Sequence, residues 1–388
     1  MEFSRDSGII INQIIPRFSS YDKEPNFTRL AEKLYYNIEE GEKYCEHIYP
    51  IETRVYEKDK CHHSALLKSH FVPEKIKKYI SEEVKHQIEY KCVILNRKIT
   101  ITIDVFNHED EILRDVDKYE NYISFICIHI YIFAKLSRKR CSKSLDIYLS
   151  PTHFKKSLPS SKEMIIGVEN VNSAVTTRCS ERGEMIIYRK EEWLKVFIHE
   201  AIHSFGLDID DHISNIIQQG ARNTLPVQRH FNVSEAYTET WARILNAAFC
   251  SYQSSKRNAE GIVEFMSYFH FSLNIERIFS VSQLHKVLRF MNRNNKEDTN
   301  TNVFAYYILT GVLMCNYNNF MVWCDNNNKN FLDFENTPHS AISFLRLIHK
   351  SYLLESCDNY HNIVNKRSSK HHKFLSATTR MSAIQLSF

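Results

Sequence analysis

Glycine and proline are scarce: the chain holds eight of each in 388 residues. With so few breakers, clean domain boundaries are hard to place. There is no internal repeat and no long low-complexity linker. Charge of one sign is also missing. Fifty basic residues stand against 46 acidic ones, a formal net charge of +4, and no long basic stripe runs along the chain. That argues against a dedicated nucleic-acid binder, and Lys366 to Lys373 reads as a solvated face or loop.

The ten cysteines include no CxxC pair and no regular spacing, so neither a disulfide framework nor a zinc ribbon is expected. The pattern fits a reducing compartment. Cys61-His62-His63 reads as a surface trio rather than a metal site. The first residues, Met1-Glu2-Phe3-Ser4-Arg5-Asp6, carry no apolar core of a secretory signal, so the protein is expected to be cytoplasmic and not secreted. The apolar runs Tyr122 to Ala134 and Phe304 to Cys315 fall short of the roughly 20 residues that a membrane span needs, and both read as buried helices.

What the chain does have is a substantial core, with 43% hydrophobic and 12% aromatic residues. It also has one motif that carries chemistry. His199-Glu200-Ala201-Ile202-His203 is an HExxH sequence inside an apolar run from Trp193 to Leu207. On a helix, residues four apart share a face, so two imidazoles can grip one Zn²⁺ from a single rigid element. Glu200 is rotated about 100° from His199. It is poorly placed as a third ligand, but it can reach a water held by the metal, where a general base stands. Met185 to Arg189 reads as a strand leading in, Glu191 and Glu192 fall in the expected first helical turn, and Gly206 falls at a left-handed C′ position with Leu207 as its apolar partner.

A catalytic zinc needs a third protein ligand and an open position. Ser234-Glu235-Ala236-Tyr237-Thr238-Glu239 begins a helix that Ser234 can N-cap, with Glu235 and Glu239 one turn apart on one face. Glu235 is the candidate ligand. Glu239 is placed to accept a hydrogen bond from a ligand histidine and fix its tautomer. A competing candidate lies nearer. His199-Glu200-x-x-His203-x-x-Gly206 resembles the opening of the metzincin signature, whose third ligand sits three residues after the glycine. Here that residue is Ile209, which cannot bind zinc; Asp208 and Asp210 flank it out of register. Met266-Ser267-Tyr268 looks like that family's Met-containing turn, but lies in a stretch that reads as an amphipathic helix.

HExxH joined by a glutamate from a downstream helix, with an acid four residues on, resembles the gluzincin branch of the zincin metallopeptidases. The match covers about residues 165 to 250. The stretch also resembles an uncharacterised zincin-like protein of nucleocytoplasmic large DNA viruses. The resemblance implies one Zn²⁺ per chain held by His199, His203 and Glu235, with Glu200 as the general base. It also implies an edge strand before the metal helix that binds substrate backbone antiparallel, which would place Asn172 and Ala174 on that strand. The implied partner is a peptide or protein substrate, in host cytoplasm or virion if the protein is viral, where a maturation or packaged protease is expected. His230 and Tyr237 are candidate oxyanion donors.

The expected fold class is α+β, zincin-like. Residues 1–85 form a mixed segment and candidate pro-region. Residues 86–233 form a mixed-sheet lobe with the HExxH helix, and 234–388 a helical C-terminal lobe supplying the third ligand. The reading from another class is a zinc-containing structural or virion protein with little turnover. The intact Glu200 argues against it.

Overall fold

The computed structural model describes residues 3–17, 28–48, 51–106, 112–137, 140–161, 164–222, 231–256, 261–294, 301–352 and 371–387. Its strands are β1 (Glu52–Glu57), β2 (His86–Ile94), β3 (Arg97–Val105), β4 (Ser144–Leu149), β5 (Ala174–Thr176) and β6 (Arg182–Ile187). Its α-helices are α1 (Arg5–Ile14), α2 (Thr28–Glu46), α3 (Glu74–Glu83), α4 (Ile112–Leu136), α5 (Val168–Val171), α6 (Trp193–Ser204) and α7 (Asp211–Arg222). They continue with α8 (Val233–Ser255), α9 (Gly261–Asn294), α10 (Thr310–Cys315), α11 (Tyr317–Asn327), α12 (Pro338–Tyr352) and α13 (His372–Ala377). The class is α+β, as expected. The chain divides into two units, each discontinuous in sequence: residues 36–155 with 172–207, and 1–35 with 156–171 and 208–387.

The first unit is built on a six-stranded mixed sheet of order β1-β2-β3-β4-β6-β5. The alternation of Ile99, Ile101 and Ile103 predicts a hairpin over Tyr90 to Phe106 with its turn at Asn96-Arg97-Lys98; the hairpin is β2 and β3, antiparallel from His86↔Val105 to Ile94↔Arg97. It turns at Leu95 and Asn96, both at positive φ (45° and 64°), the conformation of a tight two-residue hairpin loop. β3, β4 and β6 are mutually parallel, and β5 closes the edge antiparallel to β6. Alternation decides the faces. Ile101, Ile103, Ile147, Leu149, Met185 and Ile187 are fully buried on the side covered by α4 and α6. On the other side Ile186 and Tyr188 join α3 residues Ile76 and Ile80 in a second apolar cluster. The sequence from Asn170 to Thr177 reads as β-prone, but it is only partly strand. Its start is the last turn of α5, and Ala174 to Thr176 alone pair with β6.

The second unit is helical and centres on α8, buried along nearly its whole length. No α8 residue between Ala236 and Phe249 is exposed beyond 5%, so this helix is surrounded rather than one-sided. The run Phe304 to Cys315 is buried as expected, as a π-helical turn (Phe304–Leu309) leading into α10. Met266-Ser267-Tyr268 lies inside α9, as the amphipathic reading expects, so it forms no turn. Past α13 the chain runs on without regular structure, and buried side chains hold its backbone. Glu276 accepts from the amides of Ala383 (3.0 Å) and Ile384 (2.9 Å), and Asn246 donates to the Ile384 carbonyl at 3.0 Å. No described helix is long and apolar enough to cross a membrane.

Candidate metal centre

α6 carries the HExxH motif and is almost wholly buried; His199 is 7% and His203 6% exposed, while Glu200 is half-buried. The helix begins at Trp193, later than expected. Glu192 is its N-cap residue, at φ 59° and without a side-chain capping bond, so Glu191 and Glu192 do not occupy the first turn. The C-terminal end forms as expected. Gly206 sits at φ 62°. Its amide donates to the His203 carbonyl, and the Leu207 amide donates to that of Ile202, both at 3.0 Å, the Schellman pattern.

The last helical carbonyls have no partners within the helix, and two loops supply them. The Cys179 amide donates to the His203 carbonyl at 3.1 Å. Ser142 Oγ donates to the Ser204 carbonyl at 2.9 Å, and Ser137 Oγ to that of Phe205 at 2.8 Å. A disulfide, Cys141–Cys179, ties these loops together, with a Cα–Cα separation of 4.7 Å. Cys315 is also disulfide-bonded. Both facts correct the expectation that the cysteines form no disulfides. The 38-residue separation of Cys141 from Cys179 carries no sequence signature, and only the sheet brings the β4 approach beside the β5–β6 loop.

The two histidine Nε2 atoms lie 3.2 Å apart. Two nitrogens on one tetrahedral zinc, each about 2.0–2.1 Å from the ion, sit about 3.3 Å from one another. The imidazoles are therefore spaced as a shared ion requires. His199, His203 and Glu235 are the one group of metal-competent side chains among the described residues, each offering an atom within 4.8 Å of the others. Glu235 itself is half-buried in the first turn of α8. Two histidines and a carboxylate suit a borderline cation such as Zn²⁺.

The N-cap of α8 is Asn232, not Ser234: Asn232 Oδ1 accepts from the Ser234 amide at 2.9 Å. Ser234 instead donates its hydroxyl to Asp208 Oδ2 at 3.1 Å. Asp208 thus holds the residue next to Glu235. Asp210 Oδ1 accepts from the Ile213 amide at 2.8 Å at the start of α7, and Ile209 is fully buried. Neither aspartate belongs to the metal-competent group. Glu239, one turn beyond Glu235, is 1% exposed and accepts from Arg243 Nε at 3.0 Å. Arg243 also donates to Ser280 Oγ at 2.5 Å and to the Tyr306 carbonyl at 3.2 Å.

Tyr237 is corrected as a free oxyanion donor. Its hydroxyl is fully buried, donates to the Leu332 carbonyl at 2.6 Å and accepts from Asn328 Nδ2 at 3.0 Å; burial pushes its pKa well above the usual value. His230 lies outside the described residues. Cys61, His62 and His63 contribute to no metal-competent group among the described residues. The His62 ring instead meets Tyr56 and Tyr148 edge-on, with centroids 5.7 and 6.0 Å away.

β5 is one of the two edge strands of the sheet, and it packs against α6. Ser173 accepts from the Tyr188 amide, and the Thr177 amide donates to Glu184, both at 2.9 Å, so odd-numbered residues turn their backbone groups toward β6. By the antiparallel alternation, Ala174 and Thr176 turn theirs to the other side. Asn172 stands just before the strand, and its carbonyl accepts from Arg189 Nε at 2.9 Å. Comparison with protein-family models, with curated proteins and with solved structures finds no match.

Proposed function

We propose that this chain is a zinc-dependent metallopeptidase of zincin type that hydrolyses peptide bonds. The observation that carries the reading is the 3.2 Å approach of His199 and His203 Nε2, with Glu235 completing a three-ligand group and Glu200 left outside it. His199, His203 and Glu235 would hold one Zn²⁺. When bound, the ion would supply a Lewis acid that polarises the scissile carbonyl and lowers the pKa of water to about 7. Glu200 takes a proton from the attacking water and hands it to the leaving amine. The outward backbone groups of Ala174 and Thr176 receive the substrate as an added antiparallel strand and hold the scissile bond in register. A role in viral maturation or within a virion belongs to the same proposal, and rests on the family resemblance alone.

Glu200→Gln tests it. The amide keeps the size of the side chain but cannot take the proton. Zinc content and melting temperature should match wild type. Cleavage of a peptide found by library screening at neutral pH should fall by at least about 10²-fold. Equal cleavage by both proteins would assign the activity elsewhere. No cleavage of any peptide by wild type carrying a full zinc would favour a structural zinc protein.

A further inference from the structure

β3, β4 and β6 run parallel and end side by side. In sheets of this kind, the crevice outside the carboxyl ends is where ligands bind, because the departing loops part there. A cavity of about 230 Å³ lies at that place. Phe106 follows β3, Pro151, Thr152 and His153 follow β4, and Lys190 follows β6. Tyr79 reaches it from α3 on one face of the sheet, and Tyr119 and Tyr122 from α4 on the other.

The lining has two characters. Tyr119 and Tyr122 are buried, at 5% and 1% exposure, and meet edge-on with centroids 5.3 Å apart. Tyr79 lies 5.2 Å from Phe106 and meets the His153 ring edge-on at 5.1 Å. Four aromatic rings thus form the walls, while His153 and Lys190 are exposed at the rim. Ring walls favour a planar ring through stacked and edge-to-face contact. An ammonium and an imidazole at the mouth favour an anionic group on that ring. The volume is below the range of ordinary drug-sized pockets, about 300–1,000 Å³, which limits the enclosed part of the occupant to one ring or a fused pair.

We propose that this cavity is a binding site, separate from the metal centre, for a small molecule with a planar aromatic ring that carries an anionic group directly or through a short linker. The ring sits among Tyr79, Phe106, Tyr119 and Tyr122, and the anion sits by Lys190 and His153. Two sources share that chemistry: nucleoside monophosphates and aromatic carboxylates. Tyr122 also stacks on Trp193, the first residue of α6, with centroids 4.5 Å apart and planes 23° from parallel. An occupant is therefore one ring removed from an indole whose emission reports on it.

The test is isothermal titration with adenosine and uridine monophosphates in one arm and indole-3-acetate and phenylpyruvate in the other. Tryptophan emission is recorded in parallel, on full-length protein. At least one probe should bind with a dissociation constant below about 1 mM and change the emission. Phe106→Ala and Tyr79→Ala should each weaken that probe tenfold or more, with circular dichroism showing both variants folded. Lys190→Ala should weaken it at least threefold and leave the matching uncharged compound, the nucleoside or the indole, unaffected. Which arm binds identifies the source. No binding by any of the four, or undiminished binding by Phe106→Ala and Tyr79→Ala, overturns the site. Equal binding of the uncharged compound overturns the anionic part.

Discussion

The backbone amide of Cys179 donates to the carbonyl of His203 at 3.1 Å. A disulfide-linked loop is thereby fastened to a candidate metal ligand's own peptide unit. Cys179 is held at φ 39° and Ser142, next to Cys141, at φ 52°, backbone regions that non-glycine residues leave unless tied down. The Cys141–Cys179 disulfide joins the two loops at these positions.

Breaking this link should loosen the last turn of α6. Cys141→Ser with Cys179→Ser should lower unfolding stability by about 4 kcal/mol, the loop-closure value for a crosslink spanning this many residues. Amide exchange of residues 202–206 should quicken at the same time. Peptide mapping without reductant should recover the Cys141–Cys179 crosslink. Unchanged exchange in residues 202–206 would show that the loops hold the helix without it.

Zinc analysis separates the ligands from their neighbours. Wild type should carry about one zinc per chain, and His199→Ala, His203→Ala and Glu235→Ala should each lose it. Asp210→Ala should keep its zinc and lose about 1 kcal/mol, since it removes a cap from α7. Asp208→Asn should keep its zinc too, with a lowered melting temperature from the weakened bond to Ser234. Zinc lost from an aspartate variant and retained by Glu235→Ala would shift the site toward the metzincin arrangement.

Glu239 pairs with Arg243, and the proposed metal centre gives it a second task, orienting a ligand histidine; different substitutions can separate the two. Arg243 is 1% exposed and donates to Glu239 at 3.0 Å, so removing either partner should destabilise by about 3–5 kcal/mol. Glu239→Ala should also lower zinc affinity about 10–100-fold, the usual cost of losing a group that orients a ligand. Arg243→Met keeps the Glu239 carboxylate and should lower the melting temperature alone. Equal zinc loss in both variants would mean that Glu239 acts only by seating α8.

Lys286 provides a signature in pH. Burial lowers its pKa to about 7, and its Nζ donates to the carbonyls of Leu375 (3.0 Å) and Thr378 (2.5 Å). Below pH 7 the lysine is charged in both states and the burial penalty is complete. Between pH 7 and the unfolded value near 10.5 the unfolded chain binds more protons, so this residue's contribution to stability rises with pH. The stability of wild type minus that of Lys286→Met should climb across this window by up to about 1.4 kcal/mol per pH unit. The subtraction removes the buried thiols, which act in the opposite direction. A flat difference would mean that Lys286 stays charged in the fold.

Much of the site was legible in the chain because its information is local. His199 and His203 share a face through helical periodicity alone, and Gly206 ends the helix because it tolerates the left-handed conformation. The β2–β3 hairpin and the buried run at 304–315 follow from alternation and apolar length. Glu235 was legible as a candidate because a carboxylate on an apolar helix needs a reason to be there.

Other features were decided only by tertiary structure, because they depend on partners far away in sequence. The starts of α6 and α8 moved from their expected residues when Glu192 turned left-handed and Asn232 took the cap. Tyr237 lost its candidate role because Leu332 and Asn328, more than ninety positions on, claimed its hydroxyl. Cys141 met Cys179 because β4 and β6 are neighbours. Glu276 became the anchor of the C-terminal segment through amides more than one hundred residues away. Periodicity says which way a side chain points along its own element; which backbone group waits there is settled only when the elements pack.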